Sequence, residues 1–233
     1  MRILALETSA KAVSAAVTED GKVLCSGYQD TGLTHSRTLL PMARDLLKNC
    51  GTSLEEVDVI AVAAGPGSFT GLRIGVATAK GLSWGADKDC AACSTLESMA
   101  WPLAFYEDAV IVCAMDARRS QIYNALFTSE HGRLTRRTPD RAIGLAELAE
   151  ELRSEPLPLV IVGDGAVLCE KALTESGLPC RLAPPQLVMQ NAMSVALCAE
   201  DLARAGKLVS AQELLPVYLR PPQAQRLRQP PQI

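Results

Sequence analysis

The stretch from Ile60 to Trp84 constrains the fold of this chain more than any other. Ile60 to Ala64 is an unbroken apolar run and predicts a buried strand. Gly65-Pro66-Gly67-Ser68-Phe69-Thr70-Gly71 ends it, and Ser68 and Thr70 are both competent N-caps for a helix from Leu72. Strand, glycine loop and helix mark the functional edge of an α/β unit, where free backbone N–H groups at a helix start can receive an anion. The loop is not a Walker motif, because Gly71 is followed by Leu72-Arg73 rather than by Lys-Ser/Thr. It is not a dinucleotide fingerprint either, because Gly71 stands four residues after Gly67 instead of three.

The helix has its own signature. Leu72, Ile74, Val76, Ala77, Ala79 and Leu82 surround its circumference, which predicts cover on more than one side. Gly71, Gly75, Thr78 and Ala79 recur at spacings of three and four, a small-residue face that lets another backbone approach. Glycine inside a helix costs about 1 kcal/mol relative to alanine, so a packing reason is expected. Two readings stay open: an interface helix, or burial within its own domain.

Along the chain, Ile3–Leu6 and Ala12–Val17 read as strands around the polar turn Glu7–Lys11, and Asp20-Gly21 as a hairpin turn into Lys22–Tyr28. Thr31–Asn49 reads as a helix with Pro41 as a kink, Val57–Ala64 as a strand, and Cys90–Cys93 as a short strand. A helix is expected over Ser94–Ala104, capped by Ser94 or Thr95 with Glu97 completing a capping box. The pattern then restarts: apolar Val110–Met115, the turn Asp116–Ser120, strand Gln121–Phe127 and the turn His131-Gly132. Each half thus runs strand, acid (Glu7 or Asp116), base (Lys11 or Arg118), strand, glycine turn, a weak internal duplication. Beyond it come helix Leu145–Leu152, strand Leu159–Val162, the turn Gly163-Asp164-Gly165, helix Val167–Thr174 and helix Met193–Ala205 ended by Gly206. The boundaries expected are a first lobe over 1–107, a second over 108–215, and an extended, partly disordered Pro/Gln/Arg-rich tail over 216–233.

A net charge of −3 argues against a free-standing nucleic-acid binder. No run approaches a membrane span, and Glu7 interrupts the N-terminal apolar residues, so a cytoplasmic protein is expected. Eight cysteines are scattered, several in apolar runs where they act as small hydrophobes. Cys90-Ala91-Ala92-Cys93 is the one C-x-x-C; it reads as structural, with a redox pair as the alternative.

Two lobes with acidic hairpin turns and glycine loops at strand ends resemble the actin/sugar-kinase/Hsp70 (ASKHA) α/β fold with internally duplicated lobes. Closer still, the segments Ile3–Ser9, His35-Ser36 with Leu39-Leu40-Pro41, Gly65–Gly75, Ser94–Glu97, Asp116–Arg119 and Pro216–Arg220 together resemble the TsaB (YeaZ) family. That resemblance implies a non-catalytic subunit of the bacterial machinery for threonylcarbamoyladenosine (t6A) at position 37 of tRNA. The implied partners are TsaD, which transfers the group, and the ATPase TsaE, with a homodimer when the chain is alone and tRNA reached through the complex. No intrinsic cofactor is implied, ATP being used by the complex and the metal held by TsaD. TsaD-like enzymes place two histidines four apart on the early helix, and here His35 is followed at that spacing by Leu39.

No catalytic residue is therefore expected, and no peptidase activity. Glu7, Ser9, Asp116, Gly163 and Asp164 are the weak candidates for a residual nucleotide site. The expected partner surface comprises His35, Leu39, Phe69, Gly71, Leu72, Arg73, Gly75, Val76 and Ala79. The competing function is an independent nucleotide phosphotransferase or hydrolase of the same fold.

Overall fold

The computed structural model of the chain describes residues 1–220. Its first sheet holds β1 (Arg2–Glu7), β2 (Val13–Glu19), β3 (Lys22–Gln29), β4 (Val59–Gly65) and β5 (Asp89–Ser94) in the order β3-β2-β1-β4-β5. The second holds β6 (Val110–Asp116), β7 (Gln121–Glu130), β8 (Arg133–Arg136), β10 (Leu159–Val162) and β11 (Cys180–Leu182) in the order β11-β10-β6-β7-β8. β9 (Arg141–Gly144) pairs with the first half of β7, antiparallel like β8 on its second half. Both sheets therefore have one topology: an antiparallel hairpin, then parallel strands added on the far side. Asp20 and Gly21 both take positive φ, as the tight β2–β3 hairpin turn requires, and His131 and Gly132 repeat this between β7 and β8.

Side-chain alternation decides what covers each face. Leu4, Leu6, Ile60 and Val62 point to one face of the first sheet, where they meet α1 (His35–Asn49) and α2 (Phe69–Ala86). Ile3, Ala5, Ala61, Ala63 and Cys93 point to the other, against Val195, Ala196 and Ala199 of α7 (Ala192–Arg204). In the second sheet Val110, Val112 and Ile161 pack on α4 (Leu145–Glu151) and α5 (Ala166–Glu175). Its opposite face, with Ile111, Cys113 and Val160, is covered by Leu96, Met99 and Ala100 of α3 (Thr95–Ala100). The two halves thus exchange helices: α3 leaves the first half to cover the second sheet, and α7 leaves the second half to cover the first. A side-chain network fixes α3 in place, with Arg136 bonded to Glu97 and Asp140 at 2.6 Å each, and Ser94 Oγ donating to Asp140 at 2.6 Å.

Several expectations are corrected here. The early helix begins at His35 rather than Thr31, with Pro41 inside it. α3 ends at Ala100 and continues as a 3-10 turn to Leu103; Ser94 caps it, but the Glu97 carboxylate goes to Arg136 instead of closing a capping box. Cys90 and Cys93 lie in a strand and face opposite sides of the sheet, one in the α2-side core and one in the α7-side core, so they cannot pair. β8, β9, β11 and the short α6 (Pro185–Val188) carry no clear sequence signal. Of the expected tail, only 216–220 is described; Arg226 and Arg228 lie outside the described residues. Among the described residues no helix is long and apolar enough to cross a membrane.

Candidate functional site at the lobe junction

The ends of β1, β4, β6 and β10 converge between the lobes, and each feeds a glycine loop or an acidic turn. At the centre, the glycine loop is clasped to the β1–β2 turn. Ser68 N–H donates to Ser9 O at 2.7 Å, and Thr8 Oγ1 donates to Gly71 O at 2.8 Å. Ser68 also caps α2, its Oγ accepting from Gly71 N–H at 3.3 Å. The glycines are needed for contact inside this chain: a Cβ on Gly67 would lie 2.5 Å from Ser9 O, and one on Gly71 would lie 2.0 Å from Thr8 O. The glycine loop at the start of the helix is thus packed against the backbone of the β1–β2 turn.

A strap closes the other side. Val217 N–H donates to Ala64 O at 2.7 Å, and Val217 O would be 2.2 Å from a Cβ on Gly65, whose φ of +138° suits glycine. The Tyr218 ring rests on Phe69 at 4.8 Å between centroids, while the Arg73 guanidinium lies 4.0 Å over Phe69 and its Nε donates to Tyr218 Oη at 3.1 Å. Arg220 then reaches the second lobe, donating to Ala117 O at 3.0 Å.

Of the nucleotide-site candidates, Glu7 is buried, and its Oε1 accepts the Ser9 N–H. Burial, opposed by the Ser9 N–H bond and aided by the charge of Asp164, pushes its carboxyl up to about 7. Asp164 is raised too, by burial first, although it accepts a 2.7 Å bond from Gln190 Nε2. Asp116 is exposed and accepts the Arg118 N–H at 2.7 Å. Gly163 and Gly165 press on the β6 end, where a Cβ would meet Ala114 O at 2.2 Å and Asp116 N at 2.8 Å respectively. Ser9 Oγ is buried without a hydrogen-bond partner. The structure therefore brings Glu7, Ser9, Asp116, Gly163 and Asp164 to one junction but packs its loops against backbone. Among the described residues no group of three or more His, Cys, Asp or Glu is arranged to hold a metal ion.

The expected partner surface is corrected more sharply. Leu39, Gly71, Leu72, Gly75, Val76 and Ala79 are buried in the first lobe, because the small-residue face of α2 turns inward onto Thr8 and Val62. A Cβ on Gly75 would lie 2.4 Å from Thr8 Oγ1. His35 is half-buried with Nε2 at 3.0 Å from Ala12 O, and Phe69 is half-buried under Arg73. Arg73 alone of the nine is exposed. The outward stripe of α2 is Ala77, Gly81, Trp84 and Gly85, with Trp84 65% exposed and open space around Gly81 and Gly85. Leu40 is exposed on α1, the helix that packs next to α2. The sequence held this stripe at the same spacing of four, in the opposite phase.

Two lobes of one repeated topology, crossed by exchanged helices and meeting at acidic and glycine-bearing strand ends, define an actin-like protein of the ASKHA class. A hexokinase of that fold from Thermus thermophilus superposes with a TM-score of 0.52 at 13% identity, covering 87% of this chain and all of the other, a likeness of fold alone. The family model for TsaD, tRNA N6-adenosine threonylcarbamoyltransferase, matches residues 29–211. The tRNA threonylcarbamoyladenosine biosynthesis protein TsaB of Escherichia coli is 33% identical over 94% of this chain and 95% of its own length. YeaZ from Pseudomonas aeruginosa has a TM-score of 0.80 at 29% identity, covering 94% of this chain and 99% of that one. The chain belongs to the TsaB (YeaZ) family.

Proposed function

We infer that this chain takes part in threonylcarbamoyladenosine synthesis on tRNA as a non-catalytic subunit that pairs with a TsaD-type transferase. The observation that carries the reading is the clasped central loop: the backbone of Thr8, Ser9 and Val217 packs directly on Gly71, Gly67 and Gly65. A buried Glu7 that holds its proton to about pH 7 is also a poor anchor for a metal–phosphate group. ATP use, the catalytic metal and the TsaE ATPase then belong to the rest of a cytoplasmic complex, and peptidase activity to none of it. The partner helices pack on the outward stripe of α2 and on α1 beside it, where Gly81 and Gly85 allow close approach and Trp84 supplies apolar area. Alone, the same stripe supports a homodimer.

The test is a reconstitution. The purified chain by itself is expected to show no ATP hydrolysis, proteolysis or threonylcarbamoyl transfer, and to stimulate transfer by its TsaD-type partner when the two are mixed. Gly81→Arg points into open space and should keep the chain folded, melting at or slightly above the parent, while lowering affinity for the transferase by about tenfold or more, roughly 1.4 kcal/mol. Turnover by the isolated chain that Glu7→Ala abolishes would instead make it an independent phosphotransferase or hydrolase. Undiminished pairing in a folded Gly81→Arg variant moves the interface off α2.

A further inference from the structure

We propose that the strap and the β6–β7 turn form an RNA-contact face, on which Tyr218 stacks a base while Arg118, Arg119 and Arg220 neutralise phosphates. This rests on the reading of the chain as a subunit in tRNA modification, and it gives the subunit a direct hold on that substrate.

The arginines come together only in the fold. Arg220 bonds the carbonyl of Ala117, which places it beside Arg118 and Arg119, both exposed in a turn where each has positive φ. Arg73 lies two contacts away, through Tyr218, and Lys11 stands exposed on the neighbouring β1–β2 turn. Most arginines elsewhere are matched by carboxylates, as Arg2, Arg44, Arg136, Arg137, Arg141, Arg153 and Arg204 are, while Arg37, Arg133 and Arg181 stand singly among the described residues. Among the described residues the side chains of Arg118 and Arg119 make no ion pair or hydrogen bond. The facing acids are Asp116, whose carboxylate is turned to the Arg118 N–H, and Asp164, an exposed residue whose carboxylate accepts from Gln190 Nε2 and whose pKa is raised by desolvation. In a chain of net charge −3, Arg118, Arg119 and Arg220 thus form a local group of cations without ion-pair partners among the described residues.

The aromatic part fits the same ligand. One side of the Phe69 stack is closed by Arg73 and Tyr218, while Tyr218 itself remains 37% exposed. An exposed ring edged by the Arg73 guanidinium, with further cations nearby, is a platform for an unstacked base of a nucleic acid whose phosphates the cations neutralise.

The experiment uses the full chain, alone and mixed with its TsaD-type partner, and a fluorescein-labelled unmodified tRNA transcript read by anisotropy across a salt series. The double variant Arg118→Gln, Arg119→Gln should lower tRNA affinity by about tenfold at low salt and flatten the salt slope by roughly 1.5. Tyr218→Leu should also cost about tenfold, whereas Tyr218→Phe, which keeps the ring and loses only the bond from Arg73, should retain affinity. Lys207→Gln, an exposed cation on another face, should change nothing. Unchanged affinity and slope in the double arginine variant, which disturbs no packing, overturns the proposal. So does a loss of transferase pairing with tRNA binding intact, which would make the face a protein contact. A chain that fails to pair with the transferase but still loses tRNA affinity on substitution would refute the subunit reading and leave the RNA face standing.

Discussion

Gly71→Ala and Gly81→Ala are the same chemical change in the same helix and should move stability in opposite directions. At Gly71 the new methyl carbon would sit 2.0 Å from the carbonyl oxygen of Thr8, about 1.5 Å inside ordinary contact. Thr8 is fully buried, and its own hydroxyl is bonded to the Gly71 carbonyl at 2.8 Å, so neither side can move freely. Overpacking of this kind costs about 1–3 kcal/mol, and loss of the Thr8 bond adds about 1 kcal/mol. Better helix propensity returns about 1 kcal/mol, for a net loss of roughly 1–3 kcal/mol. At Gly81 a methyl group meets nothing within 4 Å, so only the gain of about 1 kcal/mol remains. For a chain of this size each kcal/mol shifts Tm by roughly 2–4 °C. Urea titration and thermal melting of the isolated chain should therefore show Gly71→Ala falling and Gly81→Ala rising. A Gly71→Ala variant as stable as the parent would mean that this helix face is not packed on its own β1–β2 turn.

Glu7 should make stability depend on pH. Its folded pKa of about 7 lies above the ordinary 4.5, so the native state keeps a proton that the unfolded chain has released. Stability then falls as pH rises from about 4.5 to about 7, and Asp164 acts in the same direction. Glu7→Gln should match the parent near pH 4.5 and exceed it at pH 8 by on the order of 3 kcal/mol at most; equal urea midpoints at both pH values would refute the assignment. Arg136→Ala leaves Glu97 and Asp140 without their shared cation and removes the guanidinium from its place 4.7 Å over Phe127. The expected cost is about 1–3 kcal/mol by urea titration, and a cost near zero would show that α3 is held by its apolar face alone.

The strands that core side chains fill were legible from apolar runs alone: Leu159–Val162 appears with the expected bounds, and the β1, β2 and β4 runs are off by a residue or two. β8, with the sequence Arg-Leu-Thr-Arg, and β11, with Cys-Arg-Leu, were not. Both are short edge strands with little buried surface, so periodicity has nothing to record. Spacing identified α2 as a helix that another backbone approaches, but spacing cannot say whose backbone. Gly71 and Gly75 receive Thr8 from this chain, and Gly81 and Gly85 are the open pair. The acids Glu7 and Asp116 were legible because both end a strand before a polar turn. The strap was not, since the contact between Tyr218 and Phe69 spans most of the chain, and composition described that segment only as extended. The uncompensated cations escaped for the same reason: Lys11, Arg73, Arg118 and Arg220 are neighbours only after folding.

The exchange of α3 and α7 between the halves has a consequence for synthesis on the ribosome. The first sheet is complete in sequence at Ser94, yet α7, which covers its inner face, ends at Arg204. At about 5–20 residues per second, that face waits for its cover for roughly 5–20 s. Ala5, Ala16, Ala61, Ala63 and Ala91 make up much of it, whereas leucine, isoleucine and valine dominate the face that α1 and α2 cover as soon as they emerge. The surface left bare longest during translation is thus the one with the smaller side chains, and the nascent chain offers a chaperone or an aggregating neighbour less apolar area to hold.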